Sequence, residues 1–311
     1  MSDSLTSFSM EVKDELINNF PQQRHCRIAQ IAVIIAMAGT ITPNSVIVRS
    51  DNERITQKYF TLLKKTFNII ADAFEQKGFF EVSVNKKEEV LEILQAVKVL
   101  DSEGNPDYHK GVVASVLLKS SCCKRVFLRS AFTMFGSVNA PDKGSHLEFV
   151  CDSEGKAKQI TRELSYFDIN AKIGLRKNRF YVVYIKDGNS ISEFLRVAQA
   201  NVATMNYENS LILREIANKT NRRVNCEVAN SEQQINSSYK QIDDINYLNE
   251  CIGLSNLPDT LRSVAEARLE NPDVGLKELG ELMKPPLGKS GVNHRLRRIS
   301  ELAQKHREKD A

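Results

Sequence analysis

The chain has 311 residues, 41% of them hydrophobic and 26% charged, with a formal net charge of +4. That composition excludes fibrous and disordered classes, and the length accommodates two domains of roughly 100 to 200 residues each. The one long apolar run, Ile31 to Gly39, is far short of the ~20 residues a membrane helix needs, and Asp3, Glu11, Asp14 and Glu15 stand where a signal peptide would be basic, so a cytoplasmic protein without membrane contact is expected. The six cysteines lack the spacing of a disulfide framework or a zinc motif and read as reduced and structural, with no metal and no cofactor expected. Adjacent Cys122 and Cys123 suit a buried helix start, because neighbouring side chains reach one metal only with distortion.

After an N-terminal helical extension (residues 1–21), the elements fall into two similar runs. A helical stretch from Arg27 ends in Met37-Ala38-Gly39, and another from Lys124 ends in Met134-Phe135-Gly136. Each is followed by a hairpin, turning at Pro43-Asn44-Ser45 in one run and Pro141-Asp142-Lys143-Gly144 in the other. Amphipathic helices follow over residues 53–66 and 154–167. Second hairpins turn at Gln76-Lys77-Gly78 and Lys177-Asn178, and closing helices are predicted over 86–100 and 190–200. A unit of αββαββα repeated at about 100 residues is too long for a solenoid and predicts a pseudo-twofold α+β domain, residues 22–204, with halves 22–100 and 122–204. The almost wholly apolar stretch from Ile28 to Ala38, carrying Ala29, Ala32 and Ala36 for close approach, is the natural seam between the halves.

A buried helix ending in Gly before a hairpin, twice in one chain, resembles the LAGLIDADG homing endonuclease fold. Aligned on Gly39 and Gly136, the motif covers Ile31 to Gly39 and Leu128 to Gly136. The resemblance places the metal-holding acid of active enzymes at Ala38 and Phe135, and the other motif acid at Ala36 and Thr133. None of these binds a hard cation, so no nuclease and no catalytic residues are expected. His25, His109 and His146 are scattered, with no recognisable nucleophile beside them.

Residues 205–252 turn polar and read as a connector of two helices. Within it, Arg222, Arg223 and Asn225 are candidate phosphate contacts, with an exposed helix end as the equally weighted reading. From residue 253 to 311 an all-α helix-turn-helix domain is legible. Pro258 opens a helix that stops at Asn271-Pro272; Leu276, Leu279, Leu282 and Met283 mark a second; Lys284-Pro285-Pro286-Leu287-Gly288 breaks it. Ser290 is expected to cap a third helix, residues 290–304, with Val292, Leu296, Ile299 and Ala303 as its inner stripe. At 100° per residue, Asn293, His294, Arg297, Arg298 and Glu301 lie on the opposite arc and Arg295 at its edge. Six Lys or Arg against one acid, Glu301, between Pro285 and Arg307 concentrate positive charge there. A recognition helix needs such a face, because Arg reads guanine and Asn reads adenine in the major groove, while Lys289 and the Ser290 and Gly291 amides anchor a phosphate.

Ser7 to Lys13, Cys122-Cys123-Lys124-Arg125, Asn221 to Glu227 and Lys289 to Arg297 together resemble the WhiA family, nearly end to end. The resemblance implies a degenerate homing-endonuclease domain joined to a helix-turn-helix, and a nucleoid-associated regulator linked to cell division and chromosome segregation, or to sporulation in filamentous actinobacteria. Double-stranded DNA is the partner it implies, with a WhiB-type iron–sulfur protein partner only in actinobacterial relatives. Residues 101–120 and the Pro285-Pro286 turn depart from that pattern. The alternatives are a protein-interaction scaffold of the division machinery or nucleoid and, least favoured, an active nuclease.

Overall fold

The computed structural model describes residues 7–76, 78–99, 103, 105, 107, 111–177 and 179–310. Lys77, Asn178 and His109, named above in two turns and among the histidines, lie outside the described residues, as does much of the divergent 101–120 stretch. The chain divides into two compact units, residues 1–215 and 216–311. No helix among the described residues is long and apolar enough to cross a membrane.

The first unit is built from the repeat. One half runs α2 (Arg24–Ala38), β1 (Gly39–Thr42), β2 (Ser45–Ser50), α3 (Glu53–Phe67), β3 (Asp72–Gln76), β4 (Phe79–Val84) and α4 (Lys87–Ala96). The other runs α5 (Ser121–Phe135), β5 (Gly136–Val138), β6 (Leu147–Cys151), α6 (Glu154–Ser165), β7 (Lys172–Arg176), β8 (Phe180–Ile185) and α7 (Gly188–Ala198). The antiparallel sheets have the same strand order, β1-β2-β4-β3 and β5-β6-β8-β7. The αββαββα unit is thus present twice. The first closing helix is shorter than the predicted 86–100, and the second sits two residues earlier than the predicted 190–200.

α2 and α5 form the seam. Ala29, Ile31, Val33, Phe127, Leu128, Ala131 and Phe132 are fully buried, and Gln30 Nε2 donates across to Ser130 Oγ at 3.0 Å. Gly39 and Gly136 are required sterically. A Cβ at Gly39 would stand 2.5 Å from the Ile35 carbonyl oxygen, and at Gly136 2.7 Å from that of Phe132, because each strand leaves its helix in extended conformation at once. No side chain longer than hydrogen fits that exit.

The N-terminal helix α1 (Phe8–Ile17), capped by Ser7, buries Val12, Leu16 and Ile17 in the core of this unit. Lys58 of α3 donates to the carbonyls of Leu16, Ile17 and Asn19, so a buried cation satisfies the negative end of α1. Glu15 performs the converse task, accepting from Val202 N and Ala203 N, both at 3.0 Å, at the start of α8 (Asn201–Cys251).

The two predicted connector helices are one helix of 51 residues. Asn, Ser and Thr lower helix propensity by only a few tenths of a kcal/mol each, whereas ending a helix takes Gly or Pro, and α8 contains neither. It stops at Gly253, whose φ of 76° lets its amide turn back to the carbonyls of Leu248 and Asn249.

In the second unit α9 (Asp259–Glu270), α10 (Leu276–Leu282) and α11 (Lys289–Asp310) enclose Leu261, Val264, Ala265, Leu279, Met283, Val292, Leu296, Ile299 and Ala303. Ile245 and Leu248, fully buried on the last turns of α8, complete this core. Leu282, counted above as an inner marker, is exposed, and Pro258 is the N-cap of α9 rather than its first helical residue. Arg268 is 1% exposed and donates to the carbonyls of Asn271, Pro272 and Val274, which fixes the α9–α10 corner.

Candidate nucleic-acid interface

The inner stripe of α11 is as the periodicity predicts, with Val292, Leu296, Ile299 and Ala303 no more than 2% exposed. With that stripe anchored, Lys289, Ser290, Asn293, His294, Arg297 and Arg298 are exposed and Gly291 and Arg295 half-buried. The helix begins one residue earlier than expected and continues to Asp310. Ser290 is therefore not its cap. The Gly288 carbonyl accepts from Gly291 N and Val292 N, and Ser290 lies inside the first turn, whose leading amides have no carbonyl partner within the helix.

The basic residues of α11 divide by what holds them. Arg295 donates to the Thr260 carbonyl at 3.3 Å, and Arg307 forks onto Asp243 and Asp244 of α8, both at 2.8 Å. These two brace the helix. Arg297 shares only the exposed Glu301 one turn on, at 3.4 Å, a pair worth a few tenths of a kcal/mol. Asn293, His294 and Arg298 share that outer arc in the first three turns. The break before α11 is fixed by Gly280. Its amide-bearing backbone meets the turn so closely that a Cβ would stand 2.1 Å from the Leu287 carbonyl oxygen, while Leu287 N donates to the Gly280 carbonyl at 2.9 Å.

Arg222, Arg223 and Asn225 are exposed in the middle of α8, not at a helix end. Arg223 lies 3.6 Å from Glu227, and the helical spacing turns Arg222 and Arg223 by about 100° from one another, so they form no single fork. On the strands of the first unit, Arg49 of β2 is clamped by Glu81 of β4 at 2.5 Å, and Arg176 of β7 by Glu148 of β6 at 2.6 Å. Ala38 and Phe135 close their helices half-buried, and Lys156 Nζ, bound to Asp152 at 2.8 Å, lies 5.9 Å from the centroid of the Phe135 ring.

The chain matches the family model of the WhiA C-terminal HTH domain over residues 220–303 and that of the WhiA LAGLIDADG-like domain over 38–105 and 124–217. A protein of Lachnoclostridium phytofermentans named "Probable cell division protein WhiA" is 38% identical, with 96% of this chain and 98% of the relative covered. One of the same name from Lachnospira eligens is 39% identical over 97% of this chain and 98% of its own. The chain belongs to the WhiA family. The crystal structure of a full-length WhiA from Thermatoga maritima superposes with a TM-score of 0.57 at 25% identity, covering 96% of this chain and 99% of that one. The LAGLIDADG-like domain of this WhiA chain therefore keeps the paired helices and both sheets while its motif positions carry no acid.

One constellation escaped the sequence reading. His25 and Cys26 stand on the first turn of α2, Cys122 and Cys123 on the first turn of α5, and the ligand atoms of all four lie within 4.8 Å of one another. His25 Nε2 is 3.4 Å from Cys122 Sγ, and Cys26 Sγ 3.9 Å from Cys123 Sγ. His25 is thus not isolated, and the adjacent cysteines do converge, because Cys122 reaches along the surface while Cys123 points inward. Burial pushes the Cys26 thiol up to about 12 and raises that of Cys123, whereas the hydrogen bond with His25 lowers that of exposed Cys122. The available signal was the repeat itself: Gly39 to Gly136, His25 to Cys122 and Cys26 to Cys123 are all separated by the same 97 residues.

Proposed function

We propose that this chain is a non-catalytic, nucleoid-associated DNA-binding protein of the cytoplasm that regulates transcription in cell division and chromosome segregation. The α11 face is its reading surface. The observation that carries this reading is the unpaired or weakly paired set Asn293, His294, Arg297 and Arg298 on the first turns of a helix whose opposite side is locked into a helix-turn-helix core. Such a helix enters the major groove by its N-terminal turns. Arg297 and Arg298 suit guanine or phosphate, Asn293 suits adenine, and Lys289 with the free Ser290 amide suits a phosphate at the helix start. Arg295 positions the helix against α9. Arg222, Arg223 and Asn225 add backbone contacts from the connector, residues 205–252, while residues 22–204 form the body to which α1 belongs and 253–311 the DNA-binding part.

The relatives' name attaches the family to cell division, and the absence of an acid at Ala38 and Phe135 supports a protein that binds without cutting. Fluorescence anisotropy of the full chain on duplex DNA is expected to give an affinity that falls steeply with salt. Chromatin immunoprecipitation paired with transcript profiling of a deletion strain then separates regulation from organisation of the chromosome. Cleavage of plasmid DNA in Mg2+ would overturn the non-catalytic reading, and unaltered cell division after removal of residues 257–311 would shift the function to a protein scaffold.

A further inference from the structure

The ends of the α2/α5 seam have opposite chemistry. At the C-terminal ends the motif positions are apolar. About 20 Å away along 15-residue helices, the N-terminal ends bring together the one group of three or more His, Cys, Asp or Glu ligand atoms close enough to hold an ion among the described residues. We propose that His25, Cys26, Cys122 and Cys123 form a closed, four-coordinate zinc site that clips the two halves of the first unit together.

The distances fit. Zinc with Zn–S near 2.3 Å and Zn–N near 2.0 Å sets tetrahedral edges of about 3.8 Å between sulfurs and about 3.5 Å between sulfur and nitrogen. The seam already holds its cross-helix sulfur pair at 3.9 Å and its nitrogen–sulfur pair at 3.4 Å, and the remaining edges, all within 4.8 Å, contract by no more than about an ångström. Each half supplies two ligands, one exposed (His25, Cys122) and one buried (Cys26, Cys123), so the ion would sit at the rim of the core.

Charge fits as well. Three thiolates and a neutral imidazole around Zn2+ leave one net negative charge. The two helix N-termini that meet there contribute roughly half a positive charge each, and neither Gln23 nor Ser120 caps its helix with a side chain. Binding releases the three thiol protons to solvent and consumes no oxidant. Four protein ligands leave no open position, which makes the site structural, and thiolate with imidazole selects zinc over the magnesium that the homing-endonuclease carboxylates hold.

Elemental analysis of the full-length chain, purified without chelator under reducing conditions, is the direct test, with about one zinc per chain expected. Substitution with Co2+ is expected to give the thiolate charge-transfer and intense d–d bands of a tetrahedral site. Cys122→Ser and His25→Gln change exposed ligands, so their chains should fold, and each should weaken zinc affinity by at least the ~10- to 100-fold that losing a supporting partner costs. Cys226→Ser, an exposed thiol on α8, should bind zinc as the parent does. Wild-type protein that takes up less than about a tenth of an equivalent of Zn2+ on reconstitution, iron in place of zinc, octahedral Co2+ spectra, or binding indifferent to Cys122→Ser and His25→Gln would each overturn the assignment.

Discussion

The same residue type plays opposite parts in the two units. On the sheets of the first unit, Arg49 and Arg176 are each held at 2.5 to 2.6 Å by a glutamate of another strand. On α11, Arg298 has no carboxylate partner among the described ion pairs and Arg297 has only a loose one at 3.4 Å. A guanidinium already forked onto a carboxylate must break that pair before it can neutralise a phosphate, and the net gain on binding is correspondingly smaller. The proposed function therefore places affinity for DNA on the second unit rather than on the sheets of the first.

The comparison is broken most forcefully through the support of α11. Leu296 is 2% exposed in the core of the second unit, and Leu296→Ala is expected to cost about 2 to 5 kcal/mol of that unit's stability. Calorimetry should show the loss confined to one of two transitions, with DNA binding lost as that transition falls below the assay temperature. DNA binding that survives melting of the second unit would return the interface to the sheets. Next in size, Arg298→Ala and Arg297→Ala should each weaken binding by ~1 to 3 kcal/mol and lower the salt slope by about one where a phosphate is lost. Arg49→Ala and Arg176→Ala should leave both quantities within twofold. Equal losses in the two sets would show that pairing with glutamate does not silence the sheet arginines.

How much of this was readable beforehand depends on whether the cause is local. The repeat was legible because Gly39 and Gly136 are steric necessities at a helix-to-strand exit, and the apolar stripe of α11 because a 3.6-residue period needs no partner to be seen. The unbroken α8 was obscured by its Asn and Ser content, although the absence of Gly and Pro over 51 residues was the stronger signal. Ser290 looked like a cap because its residue type favours that position, yet the Gly288 carbonyl takes the cap because the turn is pulled onto Gly280. The cluster of His25, Cys26, Cys122 and Cys123 was hidden for a different reason. Its ligands come from two helices that approach only once the halves have packed, so no spacing along one segment announces it.

Removing metal tests that last constellation within the first unit. If the ion clips α2 to α5, treating the full chain with a zinc chelator should lower the melting temperature of the first transition by several degrees, on the order of 2 to 4 °C per kcal/mol for a domain of this size, and leave the second unmoved. A shift confined to the helix-turn-helix transition would place the zinc elsewhere.

The smallest expected effect sharpens the original comparison most. Glu301 is the only acid between Lys289 and Arg307 on α11, and its pair with Arg297 is worth about 0.2 to 0.5 kcal/mol on an exposed helix. Glu301→Gln therefore costs almost no stability, but it frees Arg297 and removes a negative charge from the proposed DNA-binding surface. Affinity should rise by about two- to threefold at low salt, and the gain should fade as the Debye length shrinks toward 3 Å near 1 M salt. On the sheets, Glu81→Gln frees Arg49 in the same way, but that guanidinium stands on a strand outside the proposed recognition helix, so no gain is expected. A rise with Glu301→Gln alone makes placement the deciding factor. Equal rises with both would mean that the sheet faces were DNA surfaces all along, held in check by their glutamates.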